Sequence, residues 1–210
     1  MELTHGVSTP MDANLKLDLA KDQGEKELND ITDYQAVVGS LPYAALATRP
    51  EISYAAAALS CYNSRPITSH MTCDKRELLY LKYPADFQLH FNRNSIGNGI
   101  GNGIGIDVGS SLEGYSDSDR ANVSADSKSQ RGHVFLTSNG GAVSWQSGKQ
   151  SLIAMSTFEA KFIACSEASR DAKWLLQLQK DIHSKDLPPL PINCVNEGVF
   201  TLITKGIIKA

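Results

Sequence analysis

The spacing of apolar residues divides the chain into two unlike halves. In the first, apolar positions recur at three- and four-residue intervals, the period of a helix. Tyr34, Val37, Val38 and Leu41 form one such run, which Asp33 can cap. Pro42 falls inside it, and an interior proline removes a hydrogen bond at a cost of about 3 kcal/mol, so the pattern predicts a break or kink there. Arg49-Pro50-Glu51 opens a second helix, with proline at a tolerated first-turn position and Ile52, Ala55, Ala56 and Leu59 as its stripe. A third runs from about Thr68 to Tyr83, with Leu78, Leu79 and Leu81 near its end, and Phe87 to Phe91 alternates like an edge strand. From Leu112 the period changes to that of strands. One strand runs from Leu112, with Asp117 near its end. Two more, His133 to Thr137 and Ala142 to Gln146, flank Ser138-Asn139-Gly140-Gly141, and Asn-Gly is a strong hairpin signal because the turn needs positive φ. A long helical pattern follows Ser156 and reaches about Ile182, with Ala160, Ala164, Ala168, Ala172, Leu175 and Ile182 along one side. A last apolar run spans Pro191 to Val195.

Strand, strand, strand, helix, strand is a meander followed by a helical crossover. It predicts an α/β (α+β) fold with a mixed sheet and a helix packed on one face. Four segments result. Residues 1–32 are polar and acidic and read as extended, then flexible. Residues 33–91 are helical, and 112–210 form the sheet domain. Between them, residues 92–111 repeat Ile-Gly-Asn-Gly. A phosphate-cradling glycine loop needs a strand before it and a helix after it, so an interdomain linker is the better reading.

Composition adds limits. With 41% hydrophobic and 20% charged residues the chain is ordinary for a globular protein. A net charge of −3 and a pI near 5.9 give no basic footprint, which argues against tight autonomous nucleic-acid binding. Cys61, Cys73, Cys165 and Cys194 lack metal-ligand spacing and read as buried thiols in a reducing compartment. No secretory signal or membrane-spanning run is evident, so an intracellular location is expected and no membrane partner.

Two carboxylates stand out. Asp117 on the first strand and Glu159 in the first turn of the long helix could meet, as a divalent-metal site on a sheet would require. Each has a structural rival. Ser156-x-x-Glu159 is a capping box, and Asp117 with Asp119 could open a turn. Lys128, Arg131 and Lys149 could touch a phosphate backbone, although solvated charge is the default. Trp145 and Trp174 read as core aromatics, His133 as non-catalytic, and His183 as a partner of the helix dipole.

A wider pattern binds these features. Gly-Tyr-Ser-Asp-Ser-Asp (114–119), Lys128-Ser129, Gly132-His133-Val134-Phe135, Val143-Ser144-Trp145-Gln146-Ser147, Lys149-Gln150 and Ala154-Met155-Ser156-Thr157-Phe158-Glu159-Ala160 resemble the ribonuclease H domain of Ty1/copia-type retrotransposon Pol polyproteins. Val38-Gly39-Ser40-Leu41, Ala47 through Ala55, and Lys75-Arg76 with Tyr80-Leu81-Lys82 resemble the thumb or connection segment that joins polymerase to ribonuclease H. The resemblance covers nearly the whole chain. It implies a helical connection remnant followed by a truncated ribonuclease H-like sheet, β-β-β-α-β. It also implies Mg²⁺- or Mn²⁺-dependent cleavage of RNA in an RNA–DNA hybrid, with an upstream polymerase domain as partner. Asp117 and Glu159 match the first two metal ligands. The third belongs to a Cys-Asp-Asn motif, and the chain reads Cys194-Val195-Asn196, while a fourth acidic position would fall beyond Ala210. Because a two-metal site stabilises attacking and leaving oxygens together, an isopropyl group in place of a carboxylate predicts an inactive or nearly inactive copy. The alternatives are a non-catalytic remnant that binds nucleic acid or protein, and a relic without function. Pro42, Glu77 and Tyr83 also depart from the family pattern, and the aromatic-x-Asp-Asp motif of a polymerase is absent from the sequence.

Overall fold

A computed structural model describes residues 7–12, 17, 27–82, 87–91, 112–123, 127–137, 140–184 and 186–194, with backbone alone at 121–123. The linker expected at 92–111, Tyr83 and Val195 lie outside these residues, as does most of the segment before residue 27. The helical half comprises α1 (Thr32–Ala47), a 3₁₀ turn (Pro50–Ile52), α2 (Ser53–Ser60) and α3 (Thr68–Lys82). The sheet half comprises β1 (Leu112–Val123), β2 (Lys128–Thr137), β3 (Ala142–Lys149), α4 (Thr157–His183) and β4 (Ile192–Cys194).

Of the break or kink expected at Pro42, the break does not occur, and α1 runs through the proline. Tyr34, Val38, Leu41 and Ala45 are buried on both sides of the proline. Burying each larger apolar side chain gains about 1.5–3 kcal/mol, so together they outweigh the lost hydrogen bond. Tyr34 also donates its hydroxyl to the Leu59 carbonyl at 2.8 Å, tying α1 to α2. Asp33 does not cap α1. Asp30 accepts from the Thr32 N–H at 2.9 Å instead, and that hydrogen bonding holds its carboxyl below the usual range. The stripe of Ile52, Ala55, Ala56 and Leu59 is buried as its period demands. On α3, by contrast, the buried face is His70, Cys73, Asp74, Glu77 and Tyr80, while Leu78 is exposed. The carboxylates of Asp74 and Glu77 have no hydrogen-bond partner among the described residues.

The four strands form one open mixed sheet of order β3-β2-β1-β4, a ribonuclease H-like α/β arrangement with β4 parallel to β1 and the other pairs antiparallel. All strands of the meander outrun their expected limits. β1 continues past Asp117 because its ladder with β2 holds to Asp119↔Gln130, so Asp117 sits mid-strand rather than at a strand end or turn. Positive φ at Gly140 (85°) serves the β2–β3 turn. Alternation along β1 sends Leu112, Gly114, Ser116 and Ser118 inward under α4, and Glu113, Tyr115, Asp117 and Asp119 outward. Phe135 lies over Gly114, where a Cβ would stand 2.6 Å from Phe135 Cε1. With Leu112, Ala168, Ala172 and Leu175, Phe135 forms the core between helix and sheet.

Three further expectations are corrected. Ile182 and Trp174 on α4 are exposed, at 64% and 62%: Trp174 lies between the buried Ala172 and Leu175 but on the outer side of the helix, and Ile182 lies beyond the last buried residue of the stripe, Leu175. Phe87–Phe91 is irregular rather than a strand, and both phenylalanines remain exposed, so its alternation has no buried face to serve. Trp145 is only half-buried, and its indole N–H donates to the Ala45 carbonyl at 2.7 Å, fastening the last turn of α1 to β3. All four cysteines are free thiols, Cys73 and Cys165 buried and the other two half-buried. Among the described residues no helix is long and apolar enough to cross a membrane.

Candidate functional site

The end of the sheet where α4 begins gathers the residues singled out by the sequence. Ser156 is the N-cap of α4, its hydroxyl accepting from the Glu159 N–H at 3.1 Å. Glu159 returns its carboxylate to the Met155 N–H at 2.7 Å. The capping role therefore exists, and it engages the side chain that the family pattern marks as a metal ligand. Arg120 Nη2 donates to the Met155 carbonyl at 3.1 Å, which fixes the start of α4 against β1.

Asp117 stands beside this cap. Its Oδ1 accepts from the Ser118 N–H at 2.8 Å and from the Lys161 ammonium at 2.5 Å. The Asp117 side chain is 61% exposed, whereas that of Lys161 is 17% exposed. The pairing of β4 with β1 extends to Ser116↔Cys194, one residue short of Asp117. Lys161 therefore reaches past the level of that ladder. Cys194 lies close by, where burial first, then a hydrogen bond and charge from Cys165, and lastly Asp117, push its thiol up to about 12. Nothing in the sequence flagged Lys161, because its role depends on where β1 passes under the helix.

The inner layer beneath α4 is polar at this end. Arg131 forms an ion pair with Glu167, so this expected phosphate contact is turned toward the helix. His133, 8% exposed, holds Asp171 at 2.8 Å through Nε2, and burial keeps its imidazole below the ordinary value despite that carboxylate. This pairing ties β2 to α4. Lys128 and Lys149 sit half-buried at adjoining ends of β2 and β3. His183 lies in the last turn of α4 with Lys180, where cations suit the dipole. On the outer face a groove of about 890 Å³ opens between sheet and 3₁₀ turn, its walls including Tyr115, Asp117, Asp119, Trp145, Asn193 and Tyr54.

A pair of Mg²⁺ or Mn²⁺ ions would need several carboxylate oxygens free to turn on them. The residues present do not fit that demand. Asp117 is held by an ammonium and Glu159 by a backbone N–H, and no group of three His, Cys, Asp or Glu side chains among the described residues is placed to hold a metal.

Comparison with known proteins gives the lineage. The chain is 35% identical over 185 residues to a retrovirus-related Pol polyprotein from transposon TNT 1-94 of Nicotiana tabacum, covering 86% of the chain and 13% of that protein. It is 33% identical over 204 residues to the Pol polyprotein from transposon RE2 of Arabidopsis thaliana, covering 97% of the chain and again 13% of the relative. A third relative, secreted RxLR effector protein 161 of Plasmopara viticola, is 35% identical over 142 residues, 68% of the chain and 90% of the effector. No family model and no solved structure matches. The chain thus spans about an eighth of the length of its polyprotein relatives, and across that span it belongs to the copia-type retrotransposon Pol polyproteins.

Proposed function

We propose that this segment is the ribonuclease H portion of a copia-type Pol, with the connection helices that precede it, and that it does not cleave. The ancestral reaction is hydrolysis of the RNA strand of an RNA–DNA hybrid, with Asp117 and Glu159 in the positions of the first two acidic ligands. One observation carries the reading: Lys161, two residues past Glu159, bonds Asp117, so the start of α4 is tied to the stretch of β1 that bears the mid-strand carboxylate. It brings together the two elements that carry the first two acidic positions of the family pattern, while the Glu159 side chain itself turns to Met155. The loss of activity follows from Val195 at the third position of the pattern and from the commitments of the two surviving carboxylates to Lys161 and Met155.

The test is cleavage of an end-labelled RNA–DNA hybrid in Mg²⁺ and in Mn²⁺ by the full chain, beside Glu159→Gln. No cleavage by a folded sample is the expected result. Cleavage that disappears in Glu159→Gln would overturn it.

A second reading is a retained binding module. It draws on the effector relative, of which the chain covers 90%. A hybrid titrated at two salt concentrations would show affinity falling steeply with salt if the module held nucleic acid through its phosphates.

A further inference from the structure

Successive residues on a helix are turned by about 100°, so two residues along the side chain points to nearly the opposite side. Glu159 and Lys161 are therefore not alternatives for one position. Glu159 folds back to the backbone at Met155, and Lys161 is the side chain that α4 directs at Asp117. Its aliphatic stem is largely covered, with 17% of the side chain exposed, while its ammonium reaches Asp117 Oδ1. Three features make this more than a surface pair. The lysine is held by packing along its stem. The carboxylate oxygen that takes the ammonium is also held by the Ser118 N–H. The two partners come from different elements, 44 residues apart in sequence, so the contact belongs to the fold and not to one helix.

We infer that Lys161 is a resident cation, whose ammonium satisfies Asp117 where a divalent metal would bind and so excludes that metal. This rests on the reading of Asp117 as the first acidic position of the family pattern. A carboxylate site recruits Mg²⁺ or Mn²⁺ through net negative charge and oxygens able to turn toward the ion. Asp117 with Lys161 has no net charge, and the oxygen it shares with Ser118 is already committed. A metal that takes Asp117 must displace the ammonium or bind the second oxygen, Oδ2, against the charge of the lysine beside it. The lysine thus does two things with one contact: it neutralises the first acidic position of the family pattern, and it fastens the first turns of α4 to β1.

The experiment titrates the full chain with Mn²⁺, following free Mn²⁺ by electron paramagnetic resonance and folded stability by thermal melting. The unaltered protein, Lys161→Met, Lys161→Met with Asp117→Asn, and Lys180→Met are compared. The last opens a second lysine–aspartate pair, Lys180 in the last turn of α4 with Asp186 just beyond it at 3.3 Å, and so controls for a change of net charge. Lys161→Met should gain one saturable site at least tenfold tighter than any in the unaltered protein. Saturating Mn²⁺ should raise its melting temperature by about 5 °C, as ligand linkage to a chain of this size predicts. Asp117→Asn should abolish both effects, and Lys180→Met should show neither. Equal Mn²⁺ affinity in the unaltered protein and in Lys161→Met would overturn the inference, as would an equal gain in Lys180→Met. If the unaltered protein itself binds Mn²⁺ and Asp117→Asn removes that binding, the resident-cation reading fails while Asp117 keeps its place as a ligand. Failure of the inactivity reading shows separately, as Glu159-dependent cleavage of the hybrid.

Discussion

Glu77 stands on the inward face of α3 with none of its surface exposed and neither carboxylate oxygen hydrogen-bonded among the described residues. Burial, and then the neighbouring Asp74 carboxylate, raise its acid from 4.5 to about 8. The consequence for stability has a definite sign. The unfolded chain releases the proton near 4.5, whereas the folded chain keeps it until about 8, so stability is greatest below the lower value and declines as pH rises through the upper one. At pH 7 the unfolded state gains by about 2.5 pH units of ionisation, or roughly 3 kcal/mol. Glu77→Leu keeps the volume and removes the titration. Urea unfolding at pH 4.5, 7 and 8.5, followed by circular dichroism, should show the variant more stable by about 3 kcal/mol at pH 7, a midpoint shift of about 1.5 M at a slope near 2 kcal/mol per M. The gain should be smallest at pH 4.5 and largest at 8.5. A gain independent of pH, or none at pH 7, would refute the reasoning, because it would mean that Glu77 finds a partner in solution.

Other outcomes follow from single contacts. Gly114→Ala places a methyl 2.6 Å from a ring carbon of the fully buried Phe135, and overpacking of that kind should lower stability by about 1–3 kcal/mol in a thermal melt. Ser156→Ala removes the acceptor for the Glu159 N–H and should cost about 1 kcal/mol, read as an earlier urea midpoint. Trp145→Phe deletes the hydrogen bond to Ala45 across the two halves. It should cost about 1 kcal/mol and expose the end of α1 to protease, which mass mapping of the first cleavage would locate.

The order of elements was legible because each period was clean. The alanine stripe from Ala160 to Ala172 is buried as read, and Ala55, Ala56 and Leu59 of α2 with it. Gly140 turns where the hairpin signal put it. Several misreadings share one physical cause, which is that local rules lost to tertiary contacts. The Pro42 penalty yielded to burial along α1. The carboxylates of Asp74 and Glu77 went inside α3 although a polar helix face normally seeks water, and no periodicity argument would have placed them there. Asp117 looked like a turn residue until its pairing partner Gly132 held β1 extended. At the site, Ser156 and Glu159 were readable as a cap from spacing alone. Lys161 was not, because its partner lies 44 residues away on an element whose length the sequence had understated.

The parallel pairing of β4 with β1 sets an order of assembly. The three-strand meander closes through short turns, and such local contacts form early at little entropic cost. Gly114 meets Ile192 only after all of α4 has been made and laid across the sheet. During synthesis, with the chain emerging N-terminus first, β1 must wait with one edge bare until β4 leaves the ribosome. A release of the chain before residue 192 would leave that edge open beside a finished hairpin, with Phe135 roofed by the helix but unsupported by Ile192 at its side. β4, with only three residues in the ladder, is thus the last to join of the four strands among the described residues.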